Sequence, residues 1–262
     1  MNKTQANKKA WEEVYEHKSY KTRDIVRALQ KEEAPFLDED LKKALNRLPL
    51  AGKTVYHPFS NNGRELLSLC NRYGAKGVGF DFAENMVQDA NAVARKTNID
   101  AIFIATDVLS IPESYDGKAD YLLITVGSLS WIKDLPSLFS RFSKLLKPKG
   151  ILVIQDSHPV ADMFAADDED NYNSDFPNLS VNDYFSRKEW VSNDGMPYMS
   201  TLKKSSTFYD HSFTIGDLIN AMAAAGIAIL SFEESPEDKA GILGKTPPKG
   251  IPLSFLMQAY KP

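Results

Sequence analysis

The sequence predicts a doubly wound α/β fold with a mostly parallel sheet, closed by an antiparallel pair of strands. Three observations predict it. Short apolar stretches alternate with amphipathic helical stretches of 10–15 residues from Thr54 to Ile154, the signature of parallel βαβ units. Turn-forming glycine or proline punctuates them. Two strand-like stretches then follow one another at the C-terminus with no helix between them, which suits antiparallel neighbours.

The elements follow in chain order. From Asn7 to His17, Trp11 and Tyr15 stand four residues apart and give one helix an aromatic face. A short helix over Asp24–Gln30 and a third from about Asp38, carrying Leu41, Leu45 and Leu48, complete an all-helical N-terminal cap of about 50 residues. Thr54–Phe59 reads as a strand ending in a turn. Arg64–Arg72 reads as a helix with Leu66, Leu67 and Leu69 inward and Gly74 as its C′ glycine. Gly77–Asp81 is a short strand ending in an acid. Asn85–Lys96 is a helix burying Met86, Val87 and Ala90. Ala101–Ala105 is a strand followed by Asp107, and Asp120–Thr125 is another. Leu135, Leu138, Phe139, Phe142 and Leu145 form a helical stripe. Lys147–Gly150 is expected to stop that helix, before a strand over Ile151–Ile154.

Two segments break the alternation. Residues 160–205 are polar and carry the acidic run Asp167–Asp170, read as a solvated loop in preference to a metal site. A structureless connection of that length is uncommon in a compact domain. The aromatic pairs around Asn193-Asp194-Gly195 therefore predict a β-hairpin insertion after the fifth strand. Ile215–Ala225 then reads as a helix, with strands over Ile227–Phe232 and Leu253–Tyr260. Residues 51–262 are expected to form one domain behind the N-terminal cap.

Composition narrows the function. The chain has 262 residues, 43% hydrophobic and 25% charged, with a formal net charge of −4. That is a globular balance, and it gives no basic surface for nucleic acid. No apolar run reaches the roughly 18 residues a membrane span needs. Cys70 is the single cysteine, so neither an internal disulfide nor a cysteine-based zinc site is available. It reads as a small apolar helix residue. The start, Met1–Gln5, lacks the apolar centre of a signal peptide, and a cytoplasmic location with no membrane partner and no metal is expected.

In such a fold, ligands bind outside the carboxyl ends of the strands. The groups expected there are the loop His57–Gly63, then Asp81, Asp107 and the stretch Thr125–Trp131. Gly63 would let the backbone approach a ligand closely. Asp81 can accept from both hydroxyls of a ribose, and Asp107 from an exocyclic amine. Phe82 and Val108 could enclose an aromatic ring. Each aspartate is equally at home as a helix N-cap; the order and spacing of loop, ribose acid and adenine acid favour an adenosine site.

With these residues in place, the chain resembles the class I S-adenosylmethionine (SAM)-dependent methyltransferases from about Leu50 to Tyr260. The motifs are His57-Pro58-Phe59-Ser60-Asn61-Asn62-Gly63, Val78-Gly79-Phe80-Asp81, Thr106-Asp107-Val108 and Leu145-Leu146-Lys147-Pro148-Lys149-Gly150. The match is closest to a bacterial branch whose first loop begins with His, with Trp131 after the fourth strand, His158-Pro159 after the fifth, and an aromatic–His segment here written Tyr209-Asp210-His211-Ser212. The wider family has an acid where His57 stands, and glycines at Phe59 and Asn61. The resemblance implies a Rossmann-like sheet, SAM as cofactor and transfer of its methyl group to a small-molecule acceptor, by a monomer or homodimer. It implies SAM contacts from His57, Phe59, Asn61, Gly63, Asp81, Phe82, Met86, Asp107, Val108 and Thr125. Trp131 and Tyr209 would line the acceptor, with His158 and His211 as candidate catalytic groups, although each imidazole could equally satisfy a loop carbonyl. The cap helix face bearing Trp11 and Tyr15 would cover the cofactor mouth as a lid or pack on the sheet's helices.

Two other readings stay open. An NAD-dependent oxidoreductase would use Asp81 equally well, but the G-x-G-x-x-G turn is absent. A non-catalytic SAM-binding module would share the cofactor residues.

Overall fold

The computed structural model describes residues 2–167, 169–245 and 247–262; Met1 and Asp168, which figure in the sequence reading, lie outside the described residues. In chain order the elements are α1 (Lys3–Glu16), α2 (Thr22–Lys31), α3 (Glu39–Leu45), β1 (Thr54–Pro58), α4 (Arg64–Tyr73), β2 (Lys76–Asp81), α5 (Glu84–Thr97), β3 (Ala101–Ala105), β4 (Ala119–Ile124), α6 (Leu135–Leu145), β5 (Leu146–Ser157), β6 (Glu189–Asp194), β7 (Lys204–His211), α7 (Ile215–Ala224), β8 (Ala228–Ser235) and β9 (Ser254–Tyr260). Seven strands form a sheet in the order β3-β2-β1-β4-β5-β9-β8, and β6 pairs with β7 in a second, two-stranded sheet. β1 runs parallel to β2 and β4, and β2 parallel to β3. β9 is antiparallel to both β5 and β8, as the helix-free C-terminal strand pair implied.

The chain divides into two compact units. The first holds residues up to Leu123, with Lys144–Gly150 and Val191–Tyr209; the second holds Ile124–Ser143, Ile151–Trp190 and Asp210–Pro262. In the first unit β2 is glycine-bearing for a packing reason. A Cβ at Gly77 would stand 2.8 Å from Cys70 Sγ on α4, and one at Gly79 would stand 2.3 Å from the Phe103 ring of β3. The missing side chains let α4 and that ring close on the strand. Cys70 is buried there, its thiol pushed up to about 12 by desolvation, which fits an inert core residue. The outer edge of β3 is covered by Asn91 of α5, whose amide donates to Phe103 O at 2.8 Å and accepts from Phe103 N at 3.0 Å. A side chain thus takes the place of a further strand and blocks edge pairing.

The N-terminal helices belong to this unit. Asn2 and Gln5 form a capping box on α1, and Asp38 caps α3. Ala10, Val14, Tyr15 and Trp11 of α1 are buried. On α5, Asp89 accepts from Tyr15 Oη at 3.0 Å and Thr22 Oγ1 at 2.9 Å, and pairs with Lys18 Nζ at 3.0 Å. Trp11 meets Phe208 of β7 edge-on, ring centroids 5.3 Å apart.

In the second unit Leu138, Phe139 and Phe142 of α6 are fully buried, together with Leu152, Ile154, Phe255 and Met257 of β5 and β9. Each such side chain contributes about 1.5–3 kcal/mol by leaving water.

Three expectations about elements are corrected. Lys147–Gly150 does not separate helix from strand: α6 ends at Leu145 and β5 starts at Leu146, running through Pro148 to Ser157. Proline ends a helix but is tolerated in a strand where no ladder donor is needed. The insertion does contain a hairpin, but Asn193-Asp194-Gly195 is not its two-residue turn. Nine residues, 195–203, connect β6 to β7. They stay out of the strands because they bond the N-terminal helices instead: Ser19 N donates to Met199 O at 2.8 Å, and Thr201 N to His17 O at 2.9 Å. Lastly, the described residues of 164–188 do form a long connection of turns without helix or strand, anchored by side chains such as Asn182, whose amide donates to Asp162 O at 3.0 Å. Within it Asp167 accepts from Lys245 N at 2.7 Å, and no cluster able to hold a metal ion occurs among the described residues.

Candidate functional site

Nine of the ten residues expected around the cofactor lie in the first unit, in the loop after β1 and at the carboxyl ends of β2 and β3. Parallel register brings Pro58 beside Phe80, and Asp81 beside Ala105. The loop after β1 is held in unusual backbone conformations, with φ of 66° at Phe59, 49° at Asn61 and 79° at Gly63. Asp81 locks it: Asn61 N donates to one carboxylate oxygen at 2.7 Å, and Ala83 N at the start of α5 donates to the other at 2.9 Å. The carboxyl is 8% exposed. Burial pushes it up to about 6, against the pull of those backbone donors. Asp81 is therefore both the local cap and an acceptor with lone pairs to spare, since an ionised carboxylate has about four acceptor positions.

Asp107 caps the 3₁₀ turn Val108–Ser110, accepting from Leu109 N at 2.9 Å through one oxygen; the other oxygen makes no such bond. Phe82 is half-buried, while Met86 and Val108 are buried. The N-terminal helices reach this place. Glu12 of α1 accepts from Glu84 N at 3.1 Å, and Asn85 donates to Glu12 O at 2.8 Å. The Asn62 amide donates to Tyr20 Oη. Asp81 is thus flanked by the loop on one side and by α1 on the other.

Two expected roles in this group change. A Cβ at Gly63 would stand 2.5 Å from the Phe103 ring and 2.9 Å from Ala90 Cβ. The glycine answers to a positive φ and to internal packing, and its vacant side is already filled by protein. His57 has no exposed surface. Desolvation pushes its imidazole down to about 4, so it is a neutral core group.

The remaining residues stand elsewhere. Thr125, Trp131, His158 and His211 belong to the second unit. There Asp156, near the end of β5, shapes the segment after β4. Its buried carboxylate accepts from Gly127 N at 2.6 Å, Ser128 N at 3.2 Å and Leu129 N at 2.9 Å. Burial raises its pKa and these donors oppose the rise. Thr125 O accepts from Ser128 Oγ at 2.6 Å, and Trp131 Nε1 donates to Gly127 O at 2.7 Å. Trp131 is half-buried, with its indole donor turned inward.

His158, expected as a candidate catalytic group, is held on both sides by protein. Its Nδ1 accepts from Val160 N at 3.2 Å and caps the turn Pro159–Met163, while Nε2 lies 3.2 Å from Glu234 Oε1. Both ring nitrogens are engaged by protein, the ring packs near Phe232 and Phe255, and desolvation lowers its pKa. His211 ends β7, where the sequence suggested a loop. Its Nδ1 lies 3.6 Å from Glu189 Oε2, and it lines a cavity of about 340 Å³ to which His158 does not contribute. The two histidines do not share a mouth. Tyr209 lies in the first unit, where Asn7 accepts from its N at 2.7 Å and donates to its O at 2.7 Å.

Sequence reasoning missed a pair of carboxyl groups in the second unit. Burial pushes Asp162 up to about 6, opposed by a hydrogen bond from Ser212. Burial and the nearby Asp162 push Asp210 up to about 7. Asp210 was visible only as the neighbour of His211; nothing in the sequence marks Asp162.

Comparison with known proteins defines the class. A methyltransferase-domain family model matches residues 51–210. The chain belongs to this methyltransferase family. Among curated proteins it is 31% identical over 137 residues to an uncharacterized methyltransferase of Schizosaccharomyces pombe; the match covers 48% of this chain and 46% of that relative, so the chain spans about half of its length. Among solved structures, a SAM-dependent methyltransferase of Mesorhizobium loti superposes with a TM-score of 0.61 at 18% identity, covering 88% of this chain and 99% of that one. The geranyl diphosphate C-methyltransferase of Streptomyces coelicolor, solved with S-adenosyl-L-homocysteine, gives 0.55 at 16% identity, covering 85% and 78%. At these identities the likeness is one of fold. The cofactor expected from the sequence is the one these neighbours use.

The first unit fits that cofactor. Spare acceptor positions on Asp81 and Asp107 stand at adjacent strand ends, and a ribose diol and an adenine amine are donors that such acceptors suit. Buried Met86 and Val108 supply apolar surroundings.

Proposed function

We propose that the chain is a SAM-dependent methyltransferase acting on a small-molecule acceptor. The observation that carries the reading is the placement of Asp81 and Asp107 at neighbouring carboxyl ends of β2 and β3, in a chain of methyltransferase family. When bound, SAM supplies a methyl group already activated on a sulfonium. The chain's part is then to bind, orient and exclude water. Asp81 would hold the ribose hydroxyls and Asp107 the adenine amine. Phe59, Asn61 and Phe82 would line the same place, with Met86 and Val108 behind. A contact from Gly63 would come through its backbone, and His57 would support the loop from beneath. Glu12 and Tyr20, bonded to the rim of this place, support a lid role for the N-terminal helices.

An acceptor that must lose a proton needs a base matched to neutral pH. Asp210, pushed up to about 7, meets that requirement better than His158. Thr125, Trp131, Tyr209 and His211 remain candidates for contact with cofactor or acceptor. An NAD-dependent oxidoreductase is disfavoured, because the single loop glycine, Gly63, has its open side filled by Phe103 and Ala90.

The test is calorimetric titration with S-adenosylhomocysteine and with NAD. Charge-assisted bonds contribute about 1.5–3 kcal/mol each. Asp81→Ala should therefore weaken S-adenosylhomocysteine binding at least about tenfold. Unchanged affinity in Asp81→Ala, or binding of NAD in place of the nucleoside, overturns the reading.

A further inference from the structure

The cavity of about 340 Å³ in the second unit has an asymmetric chemistry. Its walls come from Ile132, Leu135 and Pro136, on the segment between β4 and α6 and the first turn of α6, and from Phe213 and Ala221. Its charged lining residues are Lys133, Arg187 and Asp217. Arg187 is already neutralised. Its Nε lies 2.9 Å from Asp217 Oδ2, and its Nη2 donates to Asp217 Oδ1 at 2.9 Å. Asp217 is fixed in turn by the capping box of α7, accepting from Thr214 N at 2.8 Å and from Thr214 Oγ1 at 2.9 Å. The Arg187–Asp217 pair is thus a rigid, neutral part of the rim, and Lys133 contributes the remaining positive charge.

A cavity of this size falls within the range of small-ligand sites, where apolar walls supply the contact and a few polar groups fix orientation. We propose that this cavity is a small-molecule site that selects a compact apolar or aromatic molecule bearing one carboxylate, with the carboxylate toward Lys133 and the ring among Ile132, Leu135 and Phe213. A neutral molecule would forgo the Lys133 interaction. A strongly cationic one would meet Lys133 and an already satisfied Asp217.

The experiment uses 3-phenylpropionate and its neutral amide as probes. Binding is followed by protein-observed NMR on the full chain, with and without S-adenosylhomocysteine. Lys133 is exposed, so the carboxylate should bind about two- to fivefold more tightly than the amide, the ratio that an exposed ion pair supplies. Lys133→Gln should bring the two affinities together. Ala224→Phe, at an exposed lining position on α7, should abolish binding of both while the melting temperature holds. Equal affinity for both probes, a preference that survives Lys133→Gln, or undiminished binding to Ala224→Phe overturns the pocket. If the probes fail while S-adenosylhomocysteine binds, only the pocket falls. If S-adenosylhomocysteine fails while the probes behave as expected, the methyltransferase reading falls and the pocket stands.

Discussion

Asp81 and His57 carry opposite electrostatic loads in one small region. Burial raises the Asp81 carboxyl from 3.8 to about 6 and lowers the His57 imidazole from 6.5 to about 4. Between these values folded Asp81 binds more protons than its unfolded form, so its contribution to stability is lost as pH rises through about 6. Folded His57 binds fewer protons than unfolded, so its contribution is lost as pH falls through about 4. The two slopes oppose one another. Asp81→Asn removes one of them. Relative to wild type, the stability of the ligand-free variant should rise between pH 4 and 6 by about 2 kcal/mol, read from urea melts at each pH. A constant difference would mean that Asp81 is not desolvated. His158 gives a second residue-scale expectation. His158→Ala loses the cap on Val160 and the contact with Glu234, and should cost about 1–2 kcal/mol of stability. S-adenosylhomocysteine affinity should stay unchanged in calorimetry. Loss of affinity without loss of stability would return His158 to the site. These two aspects were unequally legible. Asp81 and Asp107 could be read from strand ends. The burial of His57 is a property of the packed core, and the second partner of His158, Glu234, lies far along the chain, so spacing alone reveals neither.

Among the elements, α1 links two partners distant in sequence. It bonds α5 through Asp89 and Glu84, and β7 through Asn7, Trp11 and Glu13, which accepts from Ser206 N at 2.9 Å. Of the aromatic face read from Trp11 and Tyr15, Tyr15 bonds Asp89 of α5 and Trp11 meets Phe208 of β7, while Glu12 of the same helix bonds Glu84 and Asn85. Removing residues 1–20 should lower the melting temperature and weaken S-adenosylhomocysteine binding at least about tenfold, because the deletion strips the Glu12 and Tyr20 contacts as well as buried Val14 and Tyr15. A truncated protein with unchanged affinity would leave α1 with packing alone. The strands and helices of the βαβ run were legible because each has its own periodicity. The hairpin turn was not. Residues 195–203 bond His17 and Ser19, and that distant partner overrides the local turn signal of Asn193-Asp194-Gly195. The Lys147–Gly150 stretch was misread for a related reason: its strand pairing is settled by neighbours in the sheet, while the local sequence signals only the end of a helix.

For the whole molecule, the mixed sheet with its reversed β9 was readable from order alone, and it places the acids at strand ends as a nucleoside site requires. The cavity beside α7 was not readable, because it is built from Ile132, Arg187 and Asp217, which lie far apart in sequence. SAM binding by this architecture would turn on Asp81. The most direct measurement is a thermal melt of the intact chain with SAM and, separately, with NAD. A ligand that binds only the folded state adds about 2.7 kcal/mol at a concentration about 100-fold above its dissociation constant. SAM should raise the wild-type melting temperature more than NAD does, and at the same concentration should stabilise Asp81→Ala by no more than about half as much, about 1.4 kcal/mol for a tenfold weaker site. A wild-type melt that shifts with NAD and not with SAM would contradict SAM binding at Asp81.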